Sequence, residues 1–378
     1  MTTTINNKNK KANVPNLRFP EFQGEWITYK IKDVLSIGNG RDYKHLNNGG
    51  IPVFGTGGYM TSVDECLYDG ETTFIGRKGS INKPFYYNGK FWTVDTLFYT
   101  HSFNGITPKF TYCLFQTINW LKYNEASGVP SLSKDTIEKI KINIPKLEEQ
   151  NKIAKLMFAL DERIATQNKI IDKLQSLIKG INQRVFMNSG INYKLGEICE
   201  IKSGYSGSQL LSKKGLKVSR IETISGHKVN IERVGYVAPF ESSENYRLRV
   251  GDILFSNINS VEYIGNTAFI DKDYDLYHGM NLLRLTPNNM VVIPFYLYLL
   301  LNTNRMLNRF KTVCNKAVSQ ASINQTELGK TVVQIPPTNT QKQICELYQA
   351  LYTKLETENH TKLLFQNQKQ YLLRQMFI

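Results

Sequence analysis

The sequence contains few residues with the spacing that catalysis requires. Its histidines and cysteines are scattered and form neither an HExxH nor a CxxC pattern, and no glycine-rich phosphate-binding or dinucleotide-binding motif occurs. The tripeptide Glu200-Ile201-Lys202 has the Glu-x-Lys spelling found in nucleases, but no Pro-Asp precedes it and such a tripeptide often arises by chance. Pro336-Pro337-Thr338 lacks the flanking residues with which an adenine methyltransferase holds its target. We therefore predict no catalytic residue, no metal site and no cofactor in this chain.

The charge balance indicates a polyanionic partner. Lys and Arg number 47 against 32 Asp and Glu, which gives a net charge of +15. Each phosphate that such a protein neutralises releases condensed counterions and adds affinity. No run of eighteen apolar residues occurs, and the polar, basic residues 1–12 do not resemble a signal peptide. We therefore expect a cytoplasmic protein that binds nucleic acid rather than membrane.

Two glycine-rich loops in the first part of the chain could contact DNA. Glycine lets a backbone approach a phosphate closely, and arginine can bind guanine O6 and N7 as a fork. The alternative is a set of tight turns with solvated charges. The predicted DNA-binding residues here are Arg41, Lys44, Thr56, Gly57, Gly58, Tyr59, Arg77, Lys78, Ser80 and Lys83.

A second set of polar loop residues lies in the later part of the chain. Asn and Gln match the N6 and N7 groups of adenine, while Ser and Lys are suited to phosphates. Each of these could instead belong to an ordinary polar loop. The predicted DNA-binding residues are Ser206, Lys213, Lys214, Arg220, Asn257, Asn259, Ser260, His278, Lys316, Ser319 and Gln320.

These loops belong to a duplicated layout. Residues 29–40 match residues 193–204 in apolar pattern, 70–74 match 251–255, and 142–145 match 333–336. The offset between matches grows from 164 to 191 along the chain, so the second copy carries about 27 extra loop residues. Each copy combines β-like runs with one short helix, predicted at residues 109–123 and 294–309, and ends in one long helix.

The two long helices are predicted to pair within the molecule. Apolar residues recur at alternating steps of four and three, as in a coiled-coil seam. The first helix enters the second domain at residues 188–192, and the second helix leaves that domain through Pro336-Pro337-Thr338. No linker is long enough to carry the second helix back to the start of the first, so it must run antiparallel to the first. Homodimerisation of the chain is the alternative. The predicted seam residues are Ile153, Leu160, Ile164, Ile171, Leu174, Ile178, Ile181, Ile344, Leu351, Leu355, Phe365 and Leu372.

At this point the chain resembles the specificity subunits of type I restriction-modification systems. The resemblance rests on Leu17-Arg18-Phe19-Pro20-Glu21-Phe22, on the Gly76-Arg77-Lys78-Gly79-Ser80 loop, on the repeated block that includes Ile144-Pro145 and Glu149-Gln150, and on the duplicated order. Two departures are Val129-Pro130, where the family often has Gln, and Thr340-Gln341 in place of Glu-Gln.

The resemblance implies an α+β fold with pseudo-twofold symmetry, in which two mixed α/β target recognition domains are separated by two helices that form an antiparallel coiled coil. The predicted division of the chain is a basic tail (1–18), recognition domain 1 (19–146), central helix (147–190), recognition domain 2 (191–338) and C-terminal helix (339–378).

The resemblance also implies a noncatalytic subunit. Each domain would read one half of a split, asymmetric site in double-stranded DNA, and the helices would set the gap and dock two methyltransferase subunits and the restriction subunits. S-adenosylmethionine, ATP and Mg²⁺ would belong to those partners. The alternatives are a self-sufficient DNA-modifying or DNA-cleaving enzyme and a general DNA-binding scaffold. A four-residue insertion at Gln167, whose repeat counterpart is Glu358, is expected to change the gap alone.

Overall fold

The structure is a computed structural model that describes residues 13–186, 190–316 and 320–378, without the side chains of Gln183 and Lys316. Residues 1–12, most of the predicted basic tail, therefore lie outside the described part. By its internal contacts the chain forms two compact units. Unit 1 comprises residues 1–169 and 359–378, and unit 2 comprises residues 170–358.

Within residues 13–186, the chain forms eight strands and four α-helices. In chain order these are β1 (Ile27–Lys30), α1 (Ile31–Val34), β2 (Ser36–Asn39), β3 (Asn48–Gly55), β4 (Gly58–Val63), β5 (Tyr68–Gly76), β6 (Phe85–Thr93), β7 (Leu97–His101), α2 (Pro108–Phe115), α3 (Lys134–Lys139), β8 (Lys141–Ile144) and α4 (Leu147–Val185). A 3₁₀ helix, Trp120–Tyr123, lies between α2 and α3.

The second part repeats this pattern with more and shorter strands. Its elements are β9 (Ile191–Lys194), α5 (Leu195–Ile198), β10 (Cys199–Ser203), β11 (Leu216–Val218), β12 (Gly235–Val237), β13 (Ile253–Ser256), β14 (Ile258–Asn259), β15 (Thr267–Phe269), β16 (Leu282–Pro287), α6 (Pro294–Leu301), α7 (Asn304–Val313), β17 (Asn315–Lys316), β18 (Ala321–Ser322), α8 (Gln325–Gly329), β19 (Val332–Ile335) and α9 (Thr338–Met376). The 3₁₀ helices Ile221–Ile224 and Ser243–Tyr246 lie in the long segment between β10 and β13.

Each of the two units contains a four-stranded sheet, and the strand orders of the two sheets match. Unit 1 has the strand order β2-β7-β5-β6, and unit 2 has β10-β16-β13-β15. All neighbours within these four-stranded sets are antiparallel. A separate two-stranded ladder, β1-β8 or β9-β19, joins the first strand of each copy to the strand that precedes the long helix. The duplication seen in the sequence is therefore also a duplication of topology.

The units differ in what is inserted between the first and second conserved strands. Unit 1 inserts the β3-β4 hairpin, and β3 extends the sheet by pairing with β6 in parallel. Unit 2 inserts a longer segment with the small β11-β12 ladder and adds a β14-β18-β17 ladder after β13. These insertions carry many of the predicted DNA-binding residues.

In unit 1, the start of α4 packs against the end of α9. Ile153 and Met157 share one apolar cluster with Leu373 and Met376, and Phe377 stacks on Phe110 at 5.4 Å between ring centroids. Beside this cluster, Nζ of the buried Lys369 lies 2.5 Å from Oδ1 of Asp161 and donates to Oε1 of Gln116 over 2.8 Å.

In unit 2, the end of α4 packs against the start of α9. Ile178 lies in one apolar cluster with Ile344 and Tyr348, and the Tyr348 hydroxyl donates to the side-chain oxygen of Asn182. All twelve predicted seam residues are buried or half-buried. The predicted mixed α/β fold with an intramolecular antiparallel helix pair is therefore confirmed.

Each of the two predicted short helices is interrupted in the structure, and polar side chains lie at the interruptions. The first is followed by the 3₁₀ helix Trp120–Tyr123, and the second resumes as α7. Helix α2 ends at Phe115, where Thr117 donates its hydroxyl to the Leu114 carbonyl over 2.7 Å. Between α6 and α7, Thr303 donates to the Leu300 carbonyl over 2.8 Å and accepts from the Met306 amide. Ser and Thr hydroxyls offer the backbone local partners that compete with a continuing helix.

Candidate nucleic-acid interface

In unit 1, predicted residues meet at one end of the conserved sheet. Arg41 follows β2 and donates its amide to the Thr93 carbonyl over 2.8 Å, while Arg77 follows β5 and donates its amide to the Thr96 carbonyl over 2.8 Å. A Cβ built on Gly79 would lie 3.9 Å from Oγ1 of Thr56, so the hairpin turn approaches the Arg77 loop. The two loops singled out in the sequence are neighbours in space.

Glycine at the end of the first conserved strand makes this packing possible in both units. A Cβ at Gly40 would lie 1.9 Å from the Val94 carbonyl oxygen, and a Cβ at Gly204 would lie 1.9 Å from the Gly279 carbonyl oxygen. Neither position tolerates a side chain without backbone movement. The duplication therefore preserves a close approach that brings the following residue, Arg41 or Tyr205, against the loop before the last conserved strand, β7 or β16.

The Arg77 side chain is exposed, and its environment favours an oriented guanidinium group. One terminal nitrogen donates to the Asp95 carbonyl over 3.3 Å, and the guanidinium carbon lies 5.9 Å from the centre of the Phe98 ring. The loop backbone is held separately, since Leu132 donates its amide to the Arg77 carbonyl over 2.9 Å and Gly79 donates to the Pro130 carbonyl over 2.8 Å. The side chain can therefore bind a ligand without supporting the loop.

The remaining predicted residues of unit 1 differ in how accessible they are. Lys44, Lys78 and Lys83 are exposed, while Ser80 is half-buried. Gly57 is exposed and Gly58 half-buried in the hairpin turn, and Tyr59 beside it is 65% exposed. Gly58 has φ of +103°, a conformation that favours glycine. The turn thus presents an aromatic side chain to solvent, as base or sugar contacts require.

In unit 2, the segment after the equivalent strand is also held by a distant part of the chain. Ile323 donates its amide to the Asn257 carbonyl over 2.9 Å, and β14 pairs Asn259 with Ala321. This ladder places Asn257, Asn259 and exposed Ser260 near exposed Gln320. The side chain of Lys316 and the whole of Ser319 lie outside the described residues.

The structure adds residues that the sequence reasoning missed. A Cβ built on Gly235 would lie 2.8 Å from Oε1 of Gln209 and 3.1 Å from Cδ of Arg220, so these side chains flank one glycine. Arg233 and Tyr263 line a shallow cavity together with Asn259. Loop residues show no periodic pattern in the sequence, and only the tertiary fold brings them together.

His278 does not lie on this surface. It is 1% exposed, and its Nε2 lies 3.0 Å from the Leu282 carbonyl oxygen. Burial is the main reason that its pKa falls to about 4; the Leu282 hydrogen bond raises the pKa, and nearby Arg284 lowers it. The prediction of a direct DNA contact conflicts with this burial. His278 instead supports the loop, because its carbonyl accepts from the Tyr205 amide over 2.9 Å.

The other predicted residues of unit 2 are accessible. Ser206, Lys213, Lys214 and Arg220 are exposed, and the guanidinium of Arg220 lies 3.5 Å from a carboxylate oxygen of Glu222. Such an exposed ion pair contributes little to stability, so a phosphate could displace Glu222.

The Glu-x-Lys tripeptide forms a surface ion pair rather than a constellation of ligands. Nζ of Lys202 lies 2.6 Å from Oε1 of Glu200, and both side chains are more than half exposed. Nearby Asp252 accepts from the Thr286 hydroxyl over 2.6 Å and from the Arg249 amide over 2.8 Å. Within residues 13–186, 190–316 and 320–378, no group of three or more His, Cys, Asp or Glu side chains could hold a metal ion.

The helices in the described part of the chain were compared with the requirements for crossing a membrane. None of them combines the length and the apolar character needed to cross a bilayer.

The candidate surfaces occupy equivalent places in the two units. Arg77 follows β5 and Asn257 follows β13, which are matching strands of the shared sheet. Arg41 and Tyr205 each come two residues after the matching strands β2 and β10. In both units, polar loops therefore lie at the same end of the conserved sheet, and their side chains differ between the units. Such an arrangement could bind two different stretches of one ligand.

Comparison with known proteins identifies this architecture. The family model described as "Type I restriction modification DNA specificity domain" matches the chain twice, over residues 23–176 and 191–364. Each match contains one conserved sheet, one set of polar loops and most of one long helix.

Individual relatives have the same type of description. A putative type I restriction enzyme MjaX specificity subunit of Methanocaldococcus jannaschii is 39% identical over 188 residues, or 49% of this chain and 44% of that protein. The MjaVIII specificity subunit of the same organism is 25% identical over 78% of this chain and 73% of its own length. The alignment with the first relative thus spans less than half of that protein.

A solved structure shares the fold across almost the whole chain. The crystal structure of the type I restriction-modification S subunit from M. genitalium aligns with a TM-score of 0.66 over 97% of this chain and 99% of that one, at 16% sequence identity.

Proposed function

The chain belongs to the family of type I restriction-modification DNA specificity domains, and we propose that it is a noncatalytic subunit that selects a bipartite DNA site. Each recognition domain binds one half-site through the loops at the end of its conserved sheet. The antiparallel helices set the number of base pairs between the half-sites.

The observation that carries this proposal is the duplication of one scaffold with divergent loops. The two units have the same strand order. Each also has a glycine, Gly40 or Gly204, at which a side chain would collide with a backbone carbonyl. At equivalent positions after the second conserved strand, however, one unit has Arg77 and the other has Asn257. Arginine favours guanine, and unit 2 has no arginine at the matching position, so two different half-sites are expected.

The chemistry that follows DNA binding is proposed to come from partner subunits. Two methyltransferase subunits dock on the helices and bring S-adenosylmethionine, and restriction subunits bring ATP and Mg²⁺. In support, relatives are described as specificity subunits of restriction enzymes. Exposed apolar side chains on the long helices, among them Leu177, Leu347 and Tyr371, offer contact area for such partners.

Methylome sequencing tests the proposal directly. A host that expresses this chain with its methyltransferase subunit should show adenine methylation at one split, asymmetric motif with a constant gap. Deleting the gene for this chain should abolish that methylation. Methylation at a continuous motif, or at the same motif without this chain, would contradict the proposal.

The two rival functions predict different results. A self-sufficient enzyme would transfer methyl groups when the purified chain alone is supplied with S-adenosylmethionine and Mg²⁺, or would cleave DNA. A general scaffold would bind duplexes of any sequence with equal affinity and would tolerate exchange of either recognition domain. We expect the chain alone neither to transfer methyl groups nor to cleave DNA. We also expect the exchange of one recognition domain to change the half-site that this domain binds.

A further inference from the structure

One buried glutamine in each copy joins the recognition domain to the long helix that follows it. Gln150 lies in the first turn of α4 and Gln341 in the first turn of α9, and they are 0% and 1% exposed. They occupy matching positions of the two copies, with the offset of 191 that also relates the helix starts Leu147 and Thr338. Burial of two polar side chains at matching positions requires matching partners.

Gln150 binds three backbone groups from two other segments of unit 1. Its Oε1 accepts from the Thr107 amide over 2.9 Å. Its Nε2 donates to the Gly105 carbonyl and to the Pro145 carbonyl, both over 2.9 Å. Thr107 caps the start of α2, and Pro145 follows β8. One side chain therefore ties together the entry to α2, the exit from β8 and the start of the long helix.

Gln341 makes the same three bonds in unit 2. Its Oε1 accepts from the Ile293 amide over 2.8 Å, and its Nε2 donates to the Val291 carbonyl over 3.2 Å and to the Pro336 carbonyl over 2.9 Å. Ile293 precedes Pro294 at the start of α6, as Thr107 precedes Pro108 at the start of α2. The backbone amide that donates to the glutamine lies 43 residues upstream in one unit and 48 in the other. The junction persists although the loop lengths differ.

The surrounding contacts do not repeat, which singles out the glutamines. The preceding residue Glu149 is buried, and its carboxylate oxygens accept from Arg18 Nε over 2.8 Å and from Arg18 Nη2 over 2.7 Å. The matching residue in unit 2 is Thr340, which has no carboxylate. The contacts of Glu149 are therefore particular to unit 1, whereas the three-bond pattern of the glutamine occurs in both units.

From this repeated junction we propose that Gln150 and Gln341 are positioning residues that fix the orientation of each recognition domain on its helix, and thereby the gap between half-sites that the protein accepts. The inference rests on the proposed function. Side-chain hydrogen bonds to three backbone groups prevent α2 or α6 from rotating on the first turn of the helix. Without them, the recognition loops remain intact but their direction is less restricted.

The test compares gap selectivity with half-site selectivity in the assembled methyltransferase complex. Substrates are duplexes with the native motif, with the gap shortened or lengthened by one base pair, and with one base of either half-site changed. We expect Gln150→Ala and Gln341→Ala each to reduce the preference for the native gap at least tenfold. The penalty for a changed base should stay within about twofold of the wild-type value. Gln175→Ala and Gln349→Ala, at exposed positions on the same helices, should change neither ratio.

Gln150→Met and Gln341→Met provide a second pair of variants if the alanine proteins fold poorly. Methionine keeps the length and about the volume of the side chain but forms none of the three hydrogen bonds, so the same loss of gap preference is expected. If either pair lowers the melting temperature while the gap ratio stays at its wild-type value, the glutamines are structural only and the inference fails. If the wild-type complex shows no split motif, the proposed function itself fails, which is a separate outcome.

Discussion

Arg77 offers the sharpest test of base recognition, because its side chain and its backbone have separate tasks. The loop is held by backbone hydrogen bonds to Thr96 and Leu132, which no side-chain substitution removes. Within the described residues, the guanidinium donates one hydrogen bond, 3.3 Å to the exposed Asp95 carbonyl. Arg77→Ala should therefore change the free energy of unfolding by only about 0.5 kcal/mol, as is usual for exposed positions.

The expected loss in DNA binding is larger. A guanidinium fork on guanine O6 and N7 contributes about 1 to 3 kcal/mol of discrimination. This corresponds to a fall of about 5-fold to 150-fold in affinity for the cognate duplex relative to one with that base pair changed. Arg77→Lys should lose most of the same discrimination, since an ammonium group keeps the charge but not the planar fork.

The assay is equilibrium binding to cognate and singly substituted duplexes over a range of salt concentrations. Lys83→Ala, a substitution of an exposed cation nearby in sequence, is the matched control. If Lys83 contacts a phosphate, its removal should weaken binding to all duplexes alike and reduce the slope of log K against log salt by about 0.9. If Arg77→Ala behaves in this way and leaves the base preferences unchanged, the assignment of Arg77 to base reading is wrong.

Three further predictions concern the helices and the buried histidine. Lys369→Met or Asp161→Leu should each lower the free energy of unfolding by about 2 to 4 kcal/mol, because each leaves one charge of a largely buried pair without its partner. The double variant should recover most of that loss, and additive losses in a denaturant-based mutant cycle would contradict the reading. Because burial holds the pKa of His278 near 4, the unfolded state binds a proton first on acidification. The contribution of His278 is therefore present above pH 6.5 and should fall by about 2 kcal/mol between pH 7 and pH 5. His278→Gln should reduce that pH dependence in denaturant titrations, and an unchanged profile in that variant would refute the assignment. A four-residue insertion at Gln167, with a compensating insertion at Glu358, should alter the methylated gap while both half-sites stay the same, and an unaltered gap would refute the role of the helices as a spacer.

The periodic parts of the molecule could be predicted from the sequence. Heptad spacing gave the two long helices, which both contain 39 residues in the structure. The short connection between the first helix and the second domain required them to run antiparallel. The duplicated start of each copy was also visible, because apolar residues such as Ile31 and Leu195 recur at a constant offset. That this start folds as strand, short helix and strand was shown by the structure. Periodicity and connectivity are properties of the chain that need no three-dimensional information.

The surroundings of individual side chains were decided only by the tertiary structure. The side chain of His278 is chemically suited to DNA binding, but it is only 1% exposed and therefore does not lie on the surface. Gln150 and Gln341 are polar residues that a helix usually presents to water, and they became buried junctions because backbone groups 43 and 48 residues upstream reach them. The sequence by itself determined the duplicated scaffold, the helix pair and the sign of the charge. The way in which loops of different length fold determined which residues face a ligand and which hold the domains in place. Such contacts depend on distances that no local sequence pattern encodes.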